Sequence, residues 1–141
     1  MARILWLDND RFVPRIYILG LMNEGHVVKH VYWLSEAIEE IKSNQYGLVI
    51  LDVMLMVTED EQEEFPDGET NRGQNAGLVF YHKYGHFLKM QNTSVLVLTI
   101  RSDPEIRKAF TEAGLPDECF AHKAELARAE TFLEKIAALI G

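Results

Sequence analysis

At 141 residues the chain is long enough to bury a core of its own, and 48% hydrophobic with 26% charged residues is ordinary for a globular protein. A net charge of -8 argues against a nucleic-acid surface, which needs a basic patch. The lone cysteine, Cys119, excludes a disulfide framework, no apolar run reaches membrane-spanning length, and a cytoplasmic protein is expected.

Short apolar runs alternate with amphipathic segments from end to end. The predicted strands are Ile4–Leu7, Val27–Val31, Leu48–Leu51, Val95–Leu98 and a short run near Cys119–Ala121. Three of them are nearly continuous aliphatic, the pattern of strands covered on both faces. Between the first two, Phe12, Ile16 and Leu19 share one helical face, with Pro14 in the first turn and Gly25 at the end. Leu34, Ala37, Ile38 and Ile41 form a second stripe with Ser35 as its cap. A third runs through Leu78, Tyr81, Gly85 and Leu88, a fourth through Ile106, Ala109, Phe110 and Ala113, and a fifth from Leu126 to Ile140. Strict strand–helix alternation predicts an α/β fold, a parallel sheet with helices on both faces, in one domain spanning 1–141.

One stretch breaks the rhythm. From Val57 to Asn75 the chain reads VTEDEQEEFPDGETNRGQN, acidic and without a helical stripe. It far exceeds a usual βα connection of about 2–6 residues and is expected to be a solvated loop.

Polar residues gather where the strands end. Asp8, Asn9 and Asp10 follow the first, Asp52 the third, Thr99 ends the fourth and Lys123 follows the fifth. Open α/β sheets bind ligands at these carboxyl ends. Two carboxylates suit a hard cation such as Mg2+, and a carboxylate can accept a phosphoryl group. An ammonium and a hydroxyl can then grip the phosphoryl oxygens. His82 and His86 are spaced as a metal pair, but nothing nearby completes a set, and a surface or helix-packing role is expected.

In order, ILWLDND, LVILDVML, VLVLT and CFAHK make the chain resemble a response regulator receiver domain of the stand-alone chemotaxis type, over nearly its whole length apart from the 57–75 stretch. The resemblance implies a flavodoxin-like, five-stranded parallel sheet of order 2-1-3-4-5, a two-component signalling role, and phosphorylation of Asp52 by a histidine kinase or phosphotransfer protein. It makes Thr99 and Lys123 the phosphate-sensing pair and Phe120 the switch aromatic. It assigns Mg2+ to Asp8, Asp52 and the backbone carbonyl of Met54. It places a downstream protein on the fourth helix, fifth strand and fifth helix, about Pro104 to Gly141. No nucleic acid or membrane is implied, and any catalysis is limited to phosphotransfer and dephosphorylation at Asp52 itself.

The chain also departs from the family pattern. Asn9 stands where a second metal-binding acid is usual, so a neutral oxygen would ligate there unless Asp10 takes its place. Met56 and Ala124 replace prolines, and Ile100 replaces a small residue. These changes leave a second reading open, a docking module on the same fold that is not phosphorylated.

Overall fold

A computed structural model describes residues 1–140. Strands β1 (Arg3–Leu7), β2 (Val27–Val31), β3 (Leu48–Leu51), β4 (Ser94–Thr99) and β5 (Phe120–His122) pair in parallel, in the order β2-β1-β3-β4-β5. The connecting helices are α1 (Val13–Asn23), α2 (Leu34–Ser43), the short α3 (Asp67–Thr70), α4 (Ala76–Met90) and α5 (Pro104–Glu112), with α6 (Ala129–Ile140) last. The predicted sheet and its order are observed. The fourth and fifth predicted helices are α5 and α6. Gly141, at the end of the predicted output surface, lies outside the described residues.

Alternation along the strands feeds two separate cores. Leu5, Leu7, Val49, Leu51 and Val97 point to the side covered by α2, α4 and α5. Ile4, Trp6, Leu48, Ile50, Leu96 and Leu98 point to the side covered by α1 and α6. Successive side chains of a strand face opposite ways, so a strand apolar at every position must be covered twice. Trp6 is seated in the second core, stacked on Phe132 at 5.7 Å between ring centres.

The α1 stripe differs from expectation. Phe12, Ile16 and Leu19 do share a face, but that face is 74%, 72% and 63% exposed. Pro14 and Leu21 turn inward instead, with Tyr17 and Ile18 packed beside them. The helix is apolar on both sides, and periodicity alone cannot choose which side meets the sheet. In α4 the fully buried residues are Ala76, Gly77, Phe80 and Leu88, while Leu78 and Tyr81 of the predicted stripe pack half-buried against the same core.

The acidic stretch after β3 is not a loose loop. It forms a 3-10 turn at Glu59–Glu61 followed by α3, and Phe65 is fully buried. Glu61 is buried as well, and its carboxylate ties the stretch to α2. One oxygen accepts from Ser35 N at 2.6 Å and the other from Thr58 N at 2.9 Å. The first bond satisfies a free N–H in the first turn of α2, which has no side-chain cap of its own. Ser35, expected as the cap, is the residue whose N–H is capped. On the other flank, Lys83 lies over the Phe65 ring and donates to the Glu64 carbonyl, while Tyr84 donates to the Glu64 carboxylate. Glu61→Ala should therefore cost about 1–3 kcal/mol, read as a lower Tm, and should raise proteolytic cleavage within 57–75. An unchanged Tm would refute the anchoring role.

Candidate functional site

The sheet register sets the site. Leu7 of β1 pairs with Leu51 of β3, so the next residues, Asp8 and Asp52, stand side by side at the same level. Backbone bonds carry the ladder one step further, with Asp8 N donating to Val31 O and Asp52 N to Leu7 O, both at 3.1 Å. Val97 of β4 pairs with both Leu51 and Phe120, and Thr99 pairs with His122. Thr99 and Lys123 are thereby delivered to the same crevice from the other side.

Lys123 closes it. Its ammonium donates to Asp8 Oδ2 and Asp52 Oδ2, each at 3.1 Å. The carboxylates are nearly inaccessible, at 2% exposure for Asp8 and 7% for Asp52. Their other oxygens accept backbone bonds, Asp8 Oδ1 from Asp10 N at 2.9 Å and Asp52 Oδ1 from Val53 N at 2.7 Å. Two acids thus share one ammonium, leaving a formal charge of -1 in a largely buried site.

The electrostatics follow from that imbalance. Burial, and then the charge of Asp8, push the Asp52 carboxyl up to about 6, against a smaller opposing pull from Lys123. Burial also works against the Lys123 ammonium, but Asp52 and Asp8 together raise it above its ordinary value. The two results agree: one cation with two anions is securely charged, while the two anions compete for it.

The neighbouring residues play quieter parts. Thr99 is fully buried, and its hydroxyl oxygen accepts from Arg101 N at 3.1 Å. Asn9 makes two backbone bonds, its amide donating to Tyr32 O and its carbonyl accepting from Met56 N. It stitches the ends of β1 and β2 to the segment after β3. Asp10 caps the start of α1, Oδ1 accepting from Phe12 N at 2.9 Å and Val13 N at 3.2 Å. Those bonds, the Phe12 one first, hold the Asp10 carboxyl below its usual range. Phe120 is buried on the opposite side of β5, 5.7 Å from Phe110, with the Arg107 guanidinium over its ring at 5.4 Å. His122 faces backbone groups, the Ile100 carbonyl at 2.8 Å and Ala124 N at 3.0 Å.

Two residues of the site region, Gly77 and His30, had no assignment from sequence, and for a third, Arg101, which the resemblance links to the lifetime of the phosphoryl group, the sequence names no bonding partner. Gly77 lies against the segment after β3: a Cβ there would come within 2.1 Å of Asp52 O and 2.8 Å of Val53 Cα. His30 contacts the Asp8 carbonyl through Nε2 at 2.9 Å. Arg101 forks onto Asp103 at 2.9 and 2.8 Å and also reaches Gln74 O at 3.0 Å and the Asn75 side chain. The Arg-x-Asp spacing and the NAG sequence before Leu78 were visible signals, but neither names its partner.

The donor set can be tested against the ion that the resemblance implies. Asp8 and Asp52 are both oxygen donors, and their unbalanced charge favours a hard cation. Among the described residues, however, no group of three or more His, Cys, Asp or Glu is placed to hold a metal. Asp8 and Asp52 suit a hard cation such as Mg2+, with less negative charge than three acids would supply. No helix among the described residues is long and apolar enough to cross a membrane.

No protein-family model matches the chain, and no curated protein matches it in sequence. Solved structures do. A two-component response regulator from Clostridium difficile superposes with a TM-score of 0.74 at 18% identity, over 99% of this chain and 96% of the other. A CheY-like receiver domain protein from Methanospirillum hungatei gives 0.75 at 18% identity, over 99% and 94%. The chemotaxis response regulator CheY4 of Vibrio cholerae gives 0.74 at 19% identity, over 99% and 98%. At these identities the likeness speaks for the fold, and the chain has the CheY-like fold of the response regulator receiver domains.

Proposed function

We propose that the chain, as one receiver unit, is a phosphoryl-accepting switch of two-component signalling, with Asp52 as the acceptor. The observation that carries this is the Lys123 ammonium, 3.1 Å from both the Asp8 and the Asp52 carboxylate, in the crevice where Thr99 ends β4. A buried ion pair of this kind has little structural merit, since well-packed apolar residues would serve the fold as well or better. Its value is chemical.

A carboxylate oxygen of Asp52 attacks the phosphorus of a phosphohistidine on a kinase or phosphotransfer protein. A P–O bond forms and the P–N bond breaks; its electron pair returns to the imidazole nitrogen, which takes a proton from water. Lys123 then exchanges Asp52 for a phosphoryl oxygen, and the Thr99 hydroxyl donates to another. Water attack on the same phosphorus releases phosphate and resets Asp52. Mg2+ held by Asp8, Asp52 and the Met54 carbonyl would neutralise charge on the phosphoryl oxygens. The exposed stripe of Phe12, Ile16 and Leu19, flanked by Arg11 and Arg15, begins beside the pocket and suits docking of a protein donor. Output passes through α5, β5 and α6, where Phe120 packs against α5.

Incubation with acetyl phosphate and Mg2+ should add one labile phosphoryl group, read by intact mass. The two backbone bonds of Asn9 favour the other reading, a docking module whose pocket no longer gathers a third ligand. Absence of any mass addition at every Mg2+ concentration would establish that reading and end the first.

A further inference from the structure

The segment 57–75 and the pocket meet at one side chain. Arg101 lies two residues beyond Thr99, and its backbone N–H donates to the Thr99 hydroxyl oxygen at 3.1 Å. Its guanidinium is a two-sided fork. Nε and Nη2 grip both oxygens of Asp103, the residue before α5, at 2.9 and 2.8 Å. Nη1 reaches across to Gln74 O at 3.0 Å and to the Asn75 side chain. The guanidinium is planar and its donors are fixed relative to one another, so one end cannot shift without disturbing the other.

The far end is equally well tied. Asn75 N donates to Thr70 O at 2.8 Å, and Gly73 N donates to Thr70 Oγ1 at 3.0 Å. Leu55, three residues past Asp52, donates its N–H to Gly73 O at 3.0 Å. Residues 70–75 therefore form a closed knot between α3 and the start of α4, and Arg101 joins it to Thr99. With Gln74 and Asn75 each bonded to it, Arg101 is also the described side chain that links this knot to the segment following β4.

We infer that Arg101 is a positioning residue that transmits the state of the Thr99 hydroxyl to the 57–75 segment, making that segment a second region that responds to the pocket, in addition to the α5–β5–α6 face. When the Thr99 hydroxyl turns to donate to a phosphoryl oxygen, the oxygen that accepts from Arg101 N turns with it. The main chain at Arg101 shifts, the fork either drags or releases Gln74 and Asn75, and the knot carries with it the Pro66–Thr70 turn to which it is bonded. The inference rests on the proposed phosphorylation of Asp52 for its trigger, but the link between Thr99 and residues 70–75 exists without it.

Hydrogen–deuterium exchange read by mass spectrometry tests both parts on the full chain. Without any donor, Thr99→Val removes the hydroxyl acceptor and should speed exchange across 70–76 by about tenfold. In an Arg101→Ala background the same substitution should add nothing further. Arg101→Lys keeps the charge without the fork and should behave like Arg101→Ala. With acetyl phosphate and Mg2+, the wild type should change exchange across 57–76 in step with the mass addition. Arg101→Ala should take up the phosphoryl group without that change. Equal exchange in Thr99→Val and wild type would overturn the link, as would a phosphoryl-dependent change that persists in Arg101→Ala. Absence of the mass addition itself would instead overturn the phosphoacceptor reading and with it the trigger, while the donor-free comparison still decides the link.

Discussion

Asp52→Asn is expected to abolish the labile mass addition from acetyl phosphate and, at the same time, to make the protein more stable at pH 8. Loss of the addition follows because an amide is no nucleophile toward phosphorus. The gain in stability follows from the raised pKa. Asp52 titrates at about 6 in the folded chain against 3.8 for an ordinary aspartate, because burial and the Asp8 charge outweigh Lys123. A group with a raised folded pKa contributes its full stability below the unfolded value, near pH 4, and loses it as pH climbs through 6. At pH 8 the charged form costs up to about 3 kcal/mol relative to the neutral one, and Asn resembles the neutral form. Thermal melts should show Asp52→Asn above wild type at pH 8, with the gap closing toward pH 4. If the variant melts lower than wild type at pH 8, the pocket does not carry the charge imbalance described. A substitution that removes function while raising stability is the usual mark of a site arranged for chemistry rather than for the fold.

Gly77→Ala should do the opposite, damaging fold and site together. The added methyl would meet Asp52 O at 2.1 Å and Val53 Cα at 2.8 Å, both backbone atoms that cannot swing aside. Gly77 N also donates to Val53 O at 2.8 Å, so the helix start and the segment after β3 cannot separate without losing that bond. A loss of about 3 kcal/mol or more is expected, equivalent to a Tm about 10 °C lower. Labelling of Asp52 should slow in whatever fraction remains folded, since its main chain must be displaced. Gly68→Ala is the matched control, because a Cβ there meets nothing within 4 Å. Its Tm should stay within about 2 °C of wild type. Equal melting of the two variants would show that the close approach at Gly77 is relieved at little cost.

The residues that move least between sequence and structure are those whose role depends on strand ends. Asp8, Asp52, Thr99 and Lys123 converge as their places after four apolar runs imply, because parallel strands put all their carboxyl ends on one edge of a sheet. The alternation of runs and stripes likewise yields a parallel sheet, and the observed order β2-β1-β3-β4-β5 is the one that the resemblance implies. The central strands are legible for an energetic reason: a run such as Leu48–Leu51, buried at every position, has few ways to escape water except between two layers.

Other features depend on which group happens to lie opposite, and one-dimensional pattern carries no such information. The acidic 57–75 stretch reads as solvated by composition, yet Phe65 is buried and Glu61 finds Ser35 N and Thr58 N. Two backbone donors compensate for burying that carboxylate, and they come from places 26 and 3 residues away in the chain. Asn9 stands in a ligand's place by sequence and makes bonds to Tyr32 and Met56 in the fold. The apolar face of α1 that periodicity singled out is the exposed one, because the other face is apolar too and packs on Trp6 and Phe132. By itself the sequence determined the sheet, its edge and the four groups brought to that edge, since these follow from burial and chain direction. The tertiary structure alone decided how long-range polar partners are matched, because a hydrogen bond or a close contact is specified by both of its ends.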